Sequence, residues 1–178
     1  MFSKDKRYIC LDVETTGLSP HRGDRVIELA AIMVERDGVV KEFTTLIDVE
    51  CRIHRDAERV HGICRAMLAG HPKPEEVWFR FREFIGAAPL VAHNARFDLS
   101  FIRHEMRRLG LGLPNPEICT VKLSRKLYPH LPSHRLESVA RHVLGQIPED
   151  CRLHRALDDA RLLARVWMEM GRGGVGGQ

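Results

Sequence analysis

The largely apolar run Tyr8-Ile9-Cys10-Leu11-Asp12-Val13-Glu14 places Ile9, Leu11 and Val13 on one side and its two acids on the other. This pattern predicts a strand that stops at the turn signal Thr16-Gly17-Leu18-Ser19-Pro20. Val26 to Val34 is a second apolar run, broken at Asp37-Gly38, a favourable two-residue hairpin turn, after which Val39 to Ile47 continues as a third strand. Three strands in succession predict an antiparallel meander. From about Asp56 the period lengthens. Val77, Trp78, Phe81, Phe84 and Ile85 fall at helical spacing within Pro74 to Ile85, and Pro74 with two following acids makes a favourable helix start. Pro89 to Ala92 predicts a short buried strand, followed by a helix from about Ala95 to Gly110 with Asn94 as its N-cap. Glu117 to Val121 predicts a further strand leading into a helix that ends near Tyr128-Pro129. Arg135 to Leu144 predicts a helix stopped by Gly145. A last helix, Arg155 to Met170, places Leu157, Ala160, Leu163, Ala164 and Trp167 on one side. The order of elements implies an α/β layered fold with a mixed sheet and packed helices. Residues 1–170 are expected to form one domain, and the Gly-rich residues 171–178 a flexible tail.

Length and composition agree with that reading. The 178 residues suffice for one domain with a real core, and 44% hydrophobic with 29% charged residues is an ordinary globular balance. No apolar run approaches the roughly 20 residues of a membrane-spanning helix, and the N-terminus lacks the apolar stretch of a secretory signal. No membrane partner is expected, and the cytoplasm is the expected location. Cys10, Cys51, Cys64, Cys119 and Cys151 are scattered without C-x-x-C spacing, which suggests neither a zinc site nor a disulfide framework. The net charge is +4, and 22 of the 28 basic residues are Arg, a side chain suited to bidentate phosphate contact. Composition alone barely favours a nucleic-acid partner.

The acids change the picture. Asp12 and Glu14 stand two apart on a strand and so share a face, although like charges side by side repel and strands disfavour acids. A solvated strand end would also tolerate them, but a central-looking strand seldom devotes a face to acids, and a divalent cation compensates directly. Asp98 falls in the first turn of the helix after His93-Asn94, where an acid is favourable even without a function. His154 and Asp159 are five apart and share a site only if His154 lies in the loop before the helix; Asp158 offers the same chemistry one position earlier. His130 and His134, with Pro132 between them, read as a plain loop. Four carboxylates and a histidine at strand and helix ends are the raw material of a two-metal site, and hard oxygen ligands suit Mg²⁺ or Mn²⁺.

Asp12-Val13-Glu14-Thr15-Thr16-Gly17-Leu18, His93-Asn94-Ala95-Arg96-Phe97-Asp98 and His154-Arg155-Ala156-Leu157-Asp158-Asp159-Ala160 resemble the three motifs of the DEDDh family of 3′-5′ exonucleases. The chain is similar in particular to the proofreading (epsilon) subunits of bacterial DNA polymerase III, and Val60-His61-Gly62-Ile63 matches a recurrent segment of that group. The resemblance runs from about residue 7 to 170. It implies a ribonuclease H-like five-stranded sheet flanked by helices, in which a three-strand meander is joined by parallel strands. It also implies that Asp12, Glu14, Asp98 and Asp159 hold two divalent cations, Mg²⁺ or Mn²⁺, with Asp12 bridging and Asp98 acting partly through water. His154 would take a proton from the attacking water, so activity would rise with pH through the histidine titration. Thr15, Thr16 and Leu18 would contact the terminal nucleotides, and His61, Asn94 and Phe97 would help form the pocket.

The implied reaction is hydrolysis from a nucleic acid 3′ end, releasing nucleoside 5′-monophosphates, with single-stranded DNA the preferred substrate, in proofreading or repair. RNA 3′-end trimming is the alternative within the enzyme class, and a catalytically silent nucleic-acid-binding module the alternative outside it. A DNA polymerase partner fits the resemblance, but the short tail carries no tether, which implies a stand-alone nuclease or an excised catalytic domain.

Overall fold

The computed structural model describes residues 6–147, 151 and 153–173. Its centre is one five-stranded sheet: β1 (Tyr8–Thr15), β2 (Val26–Glu35), β3 (Gly38–Leu46), β4 (Leu90–Ala92) and β5 (Glu117–Cys119), in the order β3-β2-β1-β4-β5. β1 to β3 pair antiparallel, as the meander predicts, while β4 and β5 join parallel on the other side of β1. The helices are α1 (Arg55–His61), α2 (Arg65–Leu68), α3 (Pro74–Ile85), α4 (Arg96–Arg108), α5 (Thr120–Leu127), α6 (Leu136–Leu144) and α7 (Ala156–Gly173).

Alternation along β1 divides two cores. Ile9, Leu11 and Val13 point into the larger one, with Trp78 and Phe81 of α3 and Phe101 and Ile102 of α4. Tyr8 and Cys10 point the other way, under α7, whose Ala156, Ala160, Leu163, Ala164 and Trp167 form the covering stripe read from the sequence. Alanines at every fourth position let this helix lie close to the sheet, and Trp167 meets Tyr8 edge to face at 5.2 Å. Asp12 and Glu14 continue the Tyr8–Cys10 face to the point where α7 begins.

Four details depart from the sequence reading. The β2–β3 turn is made by Arg36 and Asp37, one residue earlier than expected, because Glu35 pairs with Gly38 across an irregularity at Met33/Val34. Asn94 is not an N-cap: α4 starts one residue further on, after Ala95, and Asn94 sits in the left-handed region at φ 70°, which asparagine tolerates. β5 ends at Cys119 and its chain turns directly into α5, so Thr120 and Val121 are helical. α7 runs through Gly173, three residues beyond its expected end, and the rest of the expected tail, residues 174–178, lies outside the described residues.

Candidate active site

β4 pairs with β1 only through Ile9 and Cys10, so the far half of β1 has no strand on that side. The chain leaving β4 turns through His93-Asn94 into α4 and brings Asp98 to the vacated edge, where its carboxylate accepts hydrogen bonds from the Val13 N–H and from its own. On the other side Glu14 pairs with Glu28 of β2. α7 then begins above this face. His154 precedes the helix in the left-handed conformation, φ 65°, and its N–H donates to Asp159 Oδ2 at 2.9 Å, which brings residues five apart to one place.

Asp12, Glu14 and Asp159 consequently offer oxygens that lie within 4.8 Å of one another. Asp98 is outside that trio but buried beside Asp12, and it is the leading charge opposing Asp12's ionisation after burial itself. Burial, then the charges of Asp98, Asp159, Glu14 and Glu28, hold Asp12 well above the usual carboxylate range. Burial, aided by Asp159 and Glu28, pushes Glu14 up to about 8. Asp98 rises to about 7 despite its backbone hydrogen bonds, because burial outweighs them. Asp159 rises to about 6, again chiefly through burial. Among the described residues no Lys or Arg is ion-paired to any of these four. Four clustered carboxylates whose nearest cationic neighbour, Arg155, is committed to Glu28 match the donor chemistry of a hard divalent cation, or of two.

Two cavities flank the acids. The larger, about 670 Å³, is lined by Glu14, Thr15, Leu18, His54, His61 and Phe97 among others. Leu18 is 85% exposed at its mouth. His61 braces the floor: Ile63 N–H donates to Nδ1 at 3.0 Å, leaving Nε2–H to donate to the Thr15 carbonyl at 3.2 Å, and burial holds the ring neutral by lowering its pKa. The smaller, about 230 Å³, is lined by Asp12, His93, Arg135, His154 and Asp159 together with neighbouring residues. His93 does not face an open site freely: its Nε2–H donates to the His134 carbonyl at 2.8 Å, and Nδ1 accepts from the Thr120 hydroxyl at 2.9 Å.

Of the expected site residues, then, Asp12, Glu14, Asp98, His154 and Asp159 converge, and Thr15, Leu18, His61 and Phe97 border the larger cavity. Thr16 and Asn94 do not. Thr16 is fully enclosed; its N–H donates to Arg25 O at 2.9 Å and its hydroxyl accepts from Arg25 N–H at 3.0 Å. Asn94 is exposed at the β4–α4 corner. Asp158 stands outside the trio.

Three residues went unnoticed in the sequence. Asp24 anchors the loop after β1: its carboxylate accepts from Ser19 N–H at 2.9 Å and pairs with His54 at 3.1 Å. A Cβ on Gly17 would meet that carboxylate at 2.5 Å, so a larger residue there would have to displace Asp24 from its bonds to Ser19 and His54. Buried Glu28 and half-buried Arg155 form a pair beside the acids, Arg155 donating through Nε at 3.1 Å and Nη2 at 2.7 Å. The only signal for Glu28 was an acid inside the apolar run Val26-Ile27-Glu28-Leu29-Ala30.

A family model described as Exonuclease (RNase T) matches residues 9–167. Over 164 residues the chain is 39% identical to a DNA polymerase III PolC-type protein of Clostridium perfringens, a match that takes in 92% of this chain and 11% of that protein. It is 35% identical over 167 residues to the DNA polymerase III subunit epsilon of Aquifex aeolicus, covering 93% of this chain and 81% of that one. Among solved structures, Exonuclease X in complex with 5′ overhanging duplex DNA superposes with a TM-score of 0.74 at 28% identity, over 96% of this chain and 93% of the other. The fold is that of ribonuclease H-like exonucleases, as the resemblance implied.

Proposed function

The chain belongs to the RNase T exonuclease family, and from that premise we propose that it removes nucleotides one at a time from the 3′ end of DNA with the help of two divalent cations. The observation that carries this reading is the meeting of Asp12, Glu14 and Asp159 within 4.8 Å beside a cavity of about 670 Å³. That space is of the size that takes a small ligand such as one nucleotide.

Asp12, Glu14 and Asp159 would hold one Mg²⁺ or Mn²⁺, and Asp98 with Asp12 would serve a second. When bound, such ions polarise the phosphodiester and stabilise charge on the attacking and leaving oxygens of an in-line displacement. The protein supplies the rest. His154, at the rim of the smaller cavity beside Asp12 and Asp159, accepts the proton of the attacking water. The terminal nucleoside lies in the larger cavity, its base against Phe97 and Leu18 and its sugar over Thr15, with His61 bracing the Thr15 carbonyl from behind. Leu18, held out by the Asp24-anchored loop, separates the terminal base from its neighbour. Thr16 acts through that loop and makes no nucleotide contact of its own. The product is a nucleoside 5′-monophosphate. The relatives named as polymerase III proteins support DNA as the substrate and trimming of 3′ ends in replication or repair as the role.

The test uses 5′-labelled single-stranded DNA, a 3′-recessed duplex and matching RNA, each with Mg²⁺, Mn²⁺ or EDTA. A ladder shortening by one nucleotide from the 3′ end of DNA, absent in EDTA, is expected. Faster degradation of RNA would move the substrate to RNA. Binding without cleavage of any of them would make the chain a silent binding module.

A further inference from the structure

Glu28 is an acid where an acid is least welcome. It lies buried on β2, paired in register with Glu14, on the face that already carries the clustered carboxylates. Its charge adds to the repulsion felt by both Asp12 and Glu14. It is matched by Arg155, which grips both its oxygens, and Glu28 Oε2 also accepts the Ala156 N–H at 3.0 Å, at the first turn of α7. Stability alone is a weak reason for such a pair, since burying the Glu28 carboxylate costs desolvation that its half-exposed arginine offsets only in part. The location supplies a better reason. Arg155 directly follows His154, whose imidazole has no hydrogen-bond partner among the described residues, so the ring is placed by its backbone alone. That backbone is in the left-handed region, φ 65°, and is fastened on one side by the bond from His154 N–H to Asp159. The Glu28 clamp on residues 155 and 156 fastens it on the other.

We propose that Glu28 and Arg155 are positioning residues for the reaction: they tie the turn carrying His154 to β2 and so hold the imidazole at a set distance from the acids of β1. The proposal rests on the exonuclease reading for its kinetic consequence, but the tether itself can be measured without activity. A similar device stands on the opposite side of the site. There Glu105 of α4 grips Arg25 through two bonds, at 2.6 and 2.8 Å, and also accepts from Val26 N–H, fixing the base of the loop after β1. Both clamps join an arginine and the following backbone N–H to one buried carboxylate, and each secures a segment that enters the site.

Glu28→Gln keeps shape and one acceptor while removing the charge; Arg155→Lys keeps the charge while removing the two-pronged grip. Both are expected to melt within a few degrees of the parent. Each should lower kcat roughly 10- to 100-fold, the scale on which a misplaced catalytic group is felt. KM for the oligonucleotide should stay within about twofold in both, and the Mn²⁺ midpoint within about twofold in Arg155→Lys, which leaves the charges around the acids unchanged. A role exercised only through His154 has a stricter signature: in a His154→Ala background, Glu28→Gln should lower the residual single-turnover rate no further. Hydrogen exchange of wild-type protein and Glu28→Gln, followed on a peptide covering residues 153–157, should show faster exchange in the variant, with the remainder of α7 unchanged. An equal loss in the His154→Ala background, a shifted Mn²⁺ midpoint in Arg155→Lys, an unchanged kcat or unchanged exchange would each overturn the proposal. If the wild-type protein cleaves no nucleic acid, the exonuclease reading fails, and the exchange measurement still decides whether the tether exists.

Discussion

Neutralising Asp12 should stabilise the metal-free protein while abolishing its response to metal. Asp12 is half-buried among the other acids, and after burial its raised pKa comes from the charges of Asp98, Asp159, Glu14 and Glu28. Two carboxylates whose oxygens lie within 4.8 Å repel by about 3.5 kcal/mol or more when both are ionised and the effective dielectric constant is about 20. Near pH 8 Asp159, at about 6, is ionised, while Glu14 at about 8 is half protonated and Asp98 at about 7 mostly ionised. The site relaxes by taking up protons, and the burial cost of the remaining acids persists. The net relief in Asp12→Asn is therefore roughly 2–4 kcal/mol rather than the full sum of pairs. For a chain of this length that corresponds to a rise in Tm of about 5–12 °C. The assay is thermal unfolding of both proteins near pH 8 in EDTA, and again with Mg²⁺ or Mn²⁺ in excess. The order should invert or converge, because metal stabilises only the parent by mass action. An Asp12→Asn protein no more stable than the parent in EDTA, or one that gains as much from metal, would refute the reasoning.

Further outcomes follow from the same geometry. Carboxylates whose folded pKa values are raised bind more protons folded than unfolded, so the metal-free protein should lose stability as pH rises from about 4 to about 8. Denaturant unfolding in EDTA checks the slope, and calorimetry in two buffers should show proton release on Mn²⁺ binding. Gly17→Ala drives a Cβ into the Asp24 carboxylate at 2.5 Å and should cost about 1–3 kcal/mol, with a fall in kcat/KM; an unchanged Tm would show that Asp24 does not hold the loop. Leu18, 85% exposed, should be replaceable by Ala with little change in Tm but with a higher KM for oligonucleotides. Arg135 is exposed and borders the smaller cavity, so Arg135→Ala should raise KM and flatten its salt dependence, as expected when one phosphate contact is lost.

Where a residue's role depends on strict local period, the sequence displayed it. The shared face of Asp12 and Glu14 follows from strand alternation, and the stripe on α7 from helical spacing, so the central strand and its cover were legible together. Short elements were not. α1 and α2, at seven and four residues, are too brief to establish a period. Asn94 has the chemistry of an N-cap, yet the corner required a left-handed residue, and cap preference cannot distinguish the two uses. Thr16 illustrates a different limit: alternation beyond a strand end does not tell which hydroxyl faces the cavity, because the Arg25 and Asp24 bonds that turn it inward join residues eight and nine apart. Arg155 could not be singled out among 22 arginines, and its partner lies 127 positions away. Pairing of that kind is a product of the topology that sets β2 beside β1 under the start of α7.

The central claim is that these carboxylates hold two catalytic cations, and anomalous scattering from crystals grown with Mn²⁺ and a nucleoside 5′-monophosphate tests it most directly. Two peaks about 3.5–4 Å apart are predicted, one among Asp12, Glu14 and Asp159 and the other between Asp12 and Asp98, with the nucleoside beside Phe97 and Leu18. Clear density for the nucleotide without any peak at these acids would contradict the account.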